Sequence, residues 1–158
     1  MLSYKTILVP TDFSDFSQEA LRYALRFAEI YGASLHLVHV VASTFSLDDA
    51  QAIQIEKLQD LSKRLADMLP DEEHKLEIHR QVLEGSVSSE IVGYADEHDA
   101  DLIVMGTHGR TGVTHLLLGS VAEKVIRNAT CPVLVVRPRL EKVSELPRAT
   151  PEVSVQTL

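Results

Sequence analysis

The order of hydrophobic segments along the chain restricts its fold more than any other feature. Short runs rich in Val, Ile and Leu, typical of buried strands, alternate with segments whose apolar residues recur every three or four positions, as in amphipathic helices. The predicted strands are 4–9, 34–41, 76–83, 100–106 and 131–138, and the predicted helices are 19–31, 48–69, 84–99 and 120–129. Strands that alternate with helices pair in parallel through right-handed crossovers. We therefore predict an α/β fold, a doubly wound five-stranded parallel sheet with helices on both faces.

Sheets of this kind bind ligands beyond the carboxyl ends of their strands, near the point where the strand order switches. The segments that leave those ends are 10–14, 40–44, 84–86 and 106–119. The last is the richest in glycine, and glycine lets a ligand approach bare backbone. We therefore expect the binding site, if there is one, to include residues 106–119.

The end of this glycine-rich segment has the chemistry of a helix start. The sequence "SVAE" at 120–123 matches a capping box, which predicts a helix that begins at Ser120. A helix start offers unpaired N–H groups and a positive dipole end, and both attract phosphate. Two interpretations stay open on these grounds: the segment cradles a phosphate, or it only connects a strand to a helix.

Composition excludes several classes of protein. The net charge is −8, and aromatic residues make up 5% of the chain, which argues against a nucleic-acid surface. No apolar run approaches the roughly 18 residues of a membrane span. The start of the chain lacks the features of a signal peptide, and the single cysteine, Cys131, permits no internal disulfide. We expect no membrane insertion and a cytoplasmic location.

Side chains that perform strong catalysis are missing from the usual patterns. There is no serine elbow, no cysteine–histidine signature and no lysine in the glycine-rich segment. His36 and His39 should lie on opposite faces of their strand, so they cannot form one site, and no histidine spacing is typical of zinc. Cys131 is expected to be a small apolar residue and not a nucleophile.

Several motifs together resemble the universal stress protein family. They are "ILVPTDFS", "LHLVHVV", "ADLIVMGTHGR" and "LLGSVAEKVIRNATCPVLVVRP", in this order, over nearly all of residues 3–138. The spacing Gly106-x2-Gly109-x9-Gly119-Ser120 resembles the signature of the ATP-binding branch of that family. The resemblance implies an adenine nucleotide alpha hydrolase-like, Rossmann-like fold. It also implies bound ATP, or another adenine nucleotide, with Mg²⁺ or Mn²⁺.

The resemblance implies a role for each matching residue. Those expected at the phosphates are Gly109, Gly119 and Ser120, with the Val121 amide close by, and His108 and Arg110 are further candidates there. Those expected at the nucleoside are Gly106 near the ribose, Val40 through its backbone at the adenine, Met105 against the base, and Pro10 and Thr11 as walls. Asp12 would lie near the ribose, the phosphates or the metal ion.

Simpler roles stay open for some of these residues. Asp12 could cap the first helix, alone or in addition to a ligand role. Val40 and Met105 could belong to the core, since apolar residues at strand ends usually do. His108 and Arg110 could simply be exposed to solvent.

The resemblance also implies what the protein does. It would be an ATP-binding, nucleotide-dependent stress-response or regulatory protein with at most slow ATP hydrolysis and a possible regulatory protein partner. It would form a homodimer through strand 133–137. The alternative is a nucleotide-independent dimeric interaction module of the same family. We expect a domain over 1–138 and an extension over 139–158, which would be mobile or contact a partner.

Overall fold

A computed structural model of the protein describes residues 3–42, 50–69, 75–107 and 118–137. The described strands are β1 (Thr6–Pro10), β2 (Ser34–Ala42), β3 (Ile78–Gly85), β4 (Leu102–Gly106) and β5 (Val133–Val136). The described helices are α1 (Asp15–Tyr31), α2 (Ala50–Met68), α3 (Val87–Glu97) and α4 (Ser120–Asn128). The predicted start of the second helix at Asp48 and the extension 139–158 lie outside the described residues.

The strands form one parallel sheet in the order β3-β2-β1-β4-β5. From β1 the chain moves outward through β2 to β3, and it then crosses back to β4 on the other side of β1. The strand order therefore switches between β1 and β4, which is where ligands bind in such sheets. The predicted fold class is confirmed.

A hydrophobic core lies on each face of the sheet. On one face, β-strand residues pack against α1 and α2, which contribute Ala20, Leu21, Ala24, Ala28 and Leu65, and against Leu69, which follows α2. On the other face they pack against α3 and α4, which contribute Ile91, Tyr94, Ala95, Ala122 and Val125. Central strands buried on both faces explain why the predicted strand segments read as nearly continuous apolar runs.

Local sequence explains both ends of α1. The Ser14 side chain caps the helix by accepting a hydrogen bond from the Ser17 amide at 3.3 Å. Gly32 ends the helix in the left-handed conformation at φ 65°, as predicted, and donates its N–H to the Ala28 carbonyl. The apolar spacing of the sequence puts Tyr31 on the same helical face as Leu21, Ala24 and Ala28, but Tyr31 is not buried. Tyr31 is 42% exposed, because it lies at the helix end, where its ring meets the edge of Tyr4.

Hydrogen bonding to neighbouring strands shifts the predicted strand ends by about two residues. The prediction placed the third strand at 76–83, but β3 continues through the polar Glu84 to Gly85. It does so because β2 offers paired backbone as far as Ala42.

No helix in the described part of the chain is long and apolar enough to cross a membrane.

Candidate functional site at the carboxyl edge of the sheet

Close packing at the switch point explains Gly106. This residue ends β4, and a Cβ atom there would lie 2.9 Å from the backbone carbonyl carbon and oxygen of Phe16 in the first turn of α1. Backbone cannot yield cheaply, so only glycine allows α1 to approach β4 this closely. Gly106 therefore has a structural role at the junction of β1, α1 and β4. The place near a ribose that the resemblance implies for Gly106 stays a prediction.

Thr107 joins the end of β4 to the start of α4. Its carbonyl accepts a hydrogen bond from the Gly119 amide at 2.7 Å, and its own amide donates to the Val136 carbonyl at 3.1 Å. Thr107 is 3% exposed. These two bonds hold the start of α4 at the carboxyl edge, beside both β4 and β5. Sequence reasoning missed Thr107, because its partners are distant in the chain.

The start of α4 has no side-chain cap. The helix begins at Ser120, as predicted, but the predicted capping box was wrong, because the N-cap residue is Gly119. The first intrahelical hydrogen bond runs from the Glu123 amide to the Gly119 carbonyl at 2.9 Å. The amides of Ser120, Val121 and Ala122 precede that bond and have no acceptor within the helix. They add to the positive end of the helix dipole.

The β1–α1 corner lies beside this helix start and contains Pro10, Thr11 and Asp12. The Thr11 side chain is 6% exposed and points into the core, where its hydroxyl lies 2.9 Å from the Ser17 hydroxyl. Only the Thr11 backbone can therefore line the edge. Pro10, the last residue of β1, is partly exposed.

Asp12 supports the cap of α1 without being the cap itself. Its Oδ1 accepts hydrogen bonds from the Ser14 amide at 3.0 Å and from the Ser14 hydroxyl at 2.5 Å. Ser14 in turn caps the helix. The interpretation of Asp12 as the helix cap was therefore wrong, because Ser14 is the cap. The bonds from Ser14 keep the Asp12 carboxylate at the carboxyl edge.

The backbone of Val40 points past the end of β1. On β2, even-numbered residues bond to β1, as the Thr11 amide does to the Val38 carbonyl at 2.8 Å. Odd-numbered residues bond to β3, as the Leu35 amide does to the Glu77 carbonyl. Because hydrogen-bonding direction alternates along a strand, the N–H and C=O of Val40 point to the same side as those of Val38, toward β1. The last residue of β2 paired with β1 is Val38, so Val40 lies two residues past the end of that pairing.

The side chains of Val40 and Met105 belong to the core. Val40 is 9% exposed and Met105 is 5% exposed, and both pack in the cluster beneath α3 and α4. This burial agrees with the core interpretation of both side chains. It leaves the Val40 backbone available at the edge, but little of the Met105 side chain.

The described residues contain no group of three His, Cys, Asp or Glu side chains arranged to hold a metal ion. A cation at the carboxyl edge would therefore need most of its ligands from phosphate and water, with Asp12 as the nearby carboxylate. His108, Gly109 and Arg110 lie outside the described residues. Gly119, Ser120 and Val121 lie within them at the start of α4.

A cluster of rings that the sequence did not reveal lies near the amino-terminal ends of β2 and β3. His36 Nδ1 is 3.0 Å from the Tyr94 hydroxyl, and its ring centroid lies 4.4 Å from that of His79 and 5.4 Å from that of His98. The pKa of His36 is lowered from 6.5 to about 4, mainly by burial and further by the charges of His79 and His98, against an opposing effect of Glu77. His39 faces the α1–α2 side, so the predicted separation of the two histidines is correct.

Cys131 is partly buried against the core beneath α3 and α4. Burial raises the pKa of its thiol, and the nearby Asp96 and Asp101 act in the same direction. A protonated thiol is a poor nucleophile, which agrees with a packing role.

Comparisons with known proteins agree with this architecture. A model of the universal stress protein family matches residues 3–137. Universal stress protein MJ0531 of Methanocaldococcus jannaschii is 44% identical over 142 residues, which covers 85% of this chain and 82% of the relative. The solved structure of protein MJ0577 of the same organism has a TM-score of 0.79 and 31% identity, and the match covers 89% of this chain and 100% of the other. A universal stress protein in complex with cAMP has a TM-score of 0.67 and 25% identity, with 85% and 98% covered.

Proposed function

The chain belongs to the universal stress protein family, and from this premise we propose that it binds an adenine nucleotide, specifically ATP, at the carboxyl edge between β1 and β4. The observation that carries the proposal is the uncapped start of α4, held against the end of β4 by the hydrogen bond from Gly119 to Thr107. Backbone amides at a helix start bind phosphate without a lysine. The cAMP complex of a structural relative supports an adenine ligand.

The nucleotide would lie across the switch point. Its phosphates would approach the start of α4 at Gly119, Ser120 and Val121. The amides of Ser120, Val121 and Ala122 have no acceptor within the helix, while the Gly119 amide donates to Thr107. Its adenine would meet the backbone of Val40, and Pro10 would form a wall beside it. Gly109, His108 and Arg110, which follow β4 in the sequence, would complete the phosphate site.

Asp12 would contact the ribose, the phosphates or a metal ion. Mg²⁺ or Mn²⁺ would bind through phosphate oxygens, water and this carboxylate, because such ions take oxygen ligands. The cation would neutralise phosphate charge that no described lysine at this edge can offset. Because the described residues of this edge include no activated nucleophile or base, the site suits retention of ATP and at most slow hydrolysis.

In the cell, we place this protein in the cytoplasm as a nucleotide-dependent stress-response or regulatory protein. Bound ATP would alter its contacts with an unidentified protein partner. We set the domain boundary at residue 138 and treat 139–158 as an extension outside the domain.

Titration calorimetry with Mg-ATP tests the proposal directly. We expect heat of binding with a dissociation constant in the micromolar range and a rise in melting temperature, since a ligand that binds only the folded state stabilises it. Mass spectrometry of ligand released from the purified protein should show an adenine nucleotide. The absence of both a heat signal and a thermal shift with Mg-ATP would rule out ATP binding.

The second candidate is a nucleotide-independent interaction module of the same family. It is favoured by one observation: Gly106, Val40 and Met105 all have packing roles that need no ligand. The uncapped start of α4 favours nucleotide binding, because packing alone does not require it.

We also propose that the protein is a homodimer joined through β5. This strand is at the edge of the sheet, and Val133, Leu134 and Val135 are only partly buried in the single chain. An apolar edge strand needs to be covered or paired. Light scattering at micromolar concentration is expected to give twice the chain mass of 17.5 kDa. A mass of one chain would contradict the proposal.

A further inference from the structure

Phe13 has a backbone conformation that aromatic residues rarely adopt. Its φ angle is 65°, in the left-handed region, and it lies between Asp12 and the helix cap Ser14. A bulky residue persists in this region only where its surroundings impose the conformation. The β1–α1 corner must therefore contain contacts that hold Phe13 in place.

Two side chains from other elements contact the Phe13 ring. The His39 ring, on β2, has its centroid 4.6 Å from that of Phe13. The Arg64 guanidinium carbon, on α2, lies 4.0 Å from the ring centroid. At this distance a guanidinium is attracted to the face of an aromatic ring. These three residues form the Arg64–Phe13–His39 stack.

The same stack is linked to the backbone before Asp12. His39 donates its Nδ1–H to the Thr11 carbonyl at 2.7 Å, and the Phe13 amide donates to the Thr11 hydroxyl at 3.0 Å. The Thr11 amide donates to Val38 on β2. The chain on the amino side of Asp12 is therefore held by β2 and by Phe13.

The chain on the carboxyl side of Asp12 depends on Phe13 as well. The hydrogen bonds from Ser14 to Asp12 Oδ1 span the left-handed turn at Phe13. If Phe13 relaxed to an ordinary conformation, the direction of the chain at Ser14 would change and these bonds would break. The orientation of the Asp12 carboxylate is thus coupled to the stack.

We infer that Phe13, whose ring contacts His39 and Arg64, is a positioning residue that orients Asp12 toward the bound nucleotide. The inference rests on the proposed function, because it gives Asp12 a ligand. It differs from simple packing, although Phe13 also packs against the core beneath α1 and α2. A packing role predicts a change in stability alone, whereas a positioning role predicts a change in affinity that requires Asp12.

The test is a double-mutant cycle with Mg-ATP as the probe, measured by titration calorimetry on the full chain. Phe13→Leu keeps an apolar side chain but loses the ring, and we expect it to weaken binding about tenfold. In an Asp12→Asn background the same change should weaken binding less than about threefold. Phe13→Tyr, which retains the ring, should recover most of the lost affinity.

Phe27→Leu is the matched control. Phe27 packs against the same core and stacks on Tyr31, away from the carboxyl edge. It should lower the melting temperature without weakening ATP binding. Should Phe13→Leu fail to fold, Arg64→Gln removes the cation from the ring and is expected to weaken binding about threefold, again only when Asp12 is present.

The outcomes separate the two proposals. If the unmodified protein does not bind Mg-ATP, both the proposed function and this inference are wrong. If it binds, but the stack variants bind equally well or lose the same affinity with and without Asp12, only the positioning role is wrong.

Discussion

Replacing Gly119 by leucine is expected to weaken Mg-ATP binding by at least about tenfold, or roughly 1.4 kcal/mol. Gly119 precedes α4 with φ −61° and ψ 149°, a conformation open to any residue, so leucine causes no backbone strain. Its side chain would instead occupy the space in front of the Ser120 and Val121 amides. Titration calorimetry of the variant beside the unmodified protein measures the loss.

The control for this prediction is Gly93→Leu. Gly93 is an exposed residue of α3, and a Cβ atom there would meet nothing within 4 Å. Leucine forms helix better than glycine, so this variant should be at least as stable as the unmodified protein and bind ATP equally well. Gly119→Leu itself should cost about 1 kcal/mol of helix-capping stability. Unchanged ATP affinity in Gly119→Leu would show that the phosphates do not bind at the start of α4.

Acid is expected to destabilise the protein through His36. Burial, together with the charges of His79 and His98, lowers the pKa of His36 to about 4 in the folded state, against 6.5 for an unperturbed histidine. Between these values the unfolded chain binds more protons than the folded one, so the free energy of unfolding falls as pH falls from 6.5 toward 4. The full loss from this one group is up to about 3 kcal/mol. Urea unfolding at several pH values measures it.

Two variants identify the group responsible. His36→Gln keeps a polar side chain beside the Tyr94 hydroxyl but cannot titrate, so the decline between pH 6.5 and 4 should become much shallower. His79→Gln removes one of the charges that oppose protonation of His36. It should also make the loss of stability with falling pH shallower, but by less than His36→Gln does. A His36→Gln protein that loses stability with pH as steeply as the unmodified one would assign the effect to other groups.

Much of the fold was predictable because its information is local. The spacing of apolar residues in α1 and the stop at Gly32 are properties of neighbouring residues, and both were predicted correctly. Strand ends were less predictable, because the last paired residue depends on the partner strand. β3 extends to Gly85 since β2 extends to Ala42, and no pattern within residues 76–85 contains that fact.

The candidate site divides in the same way. The helix start at Ser120 was readable from sequence, but the residue that caps it was not. Phe13 gives no sequence signal of a left-handed conformation, and the two side chains that contact its ring, His39 and Arg64, come from other elements. The cluster of the His36, His79, Tyr94 and His98 rings was missed for the same reason. Its members come from β2, β3, α3 and the residue that follows α3.

The sequence by itself determined the order of strands and helices, their buried faces and the family, because periodicity and motif spacing depend on residues close together in the chain. Only the tertiary structure decided that the backbone of Phe16 packs directly against Gly106, and that a hydrogen bond to Thr107 holds Gly119 at the carboxyl edge. It also decided that His36 is buried among ionisable rings. These properties arise between segments that are distant along the chain, where distances and burial are set by the packing of the whole sheet.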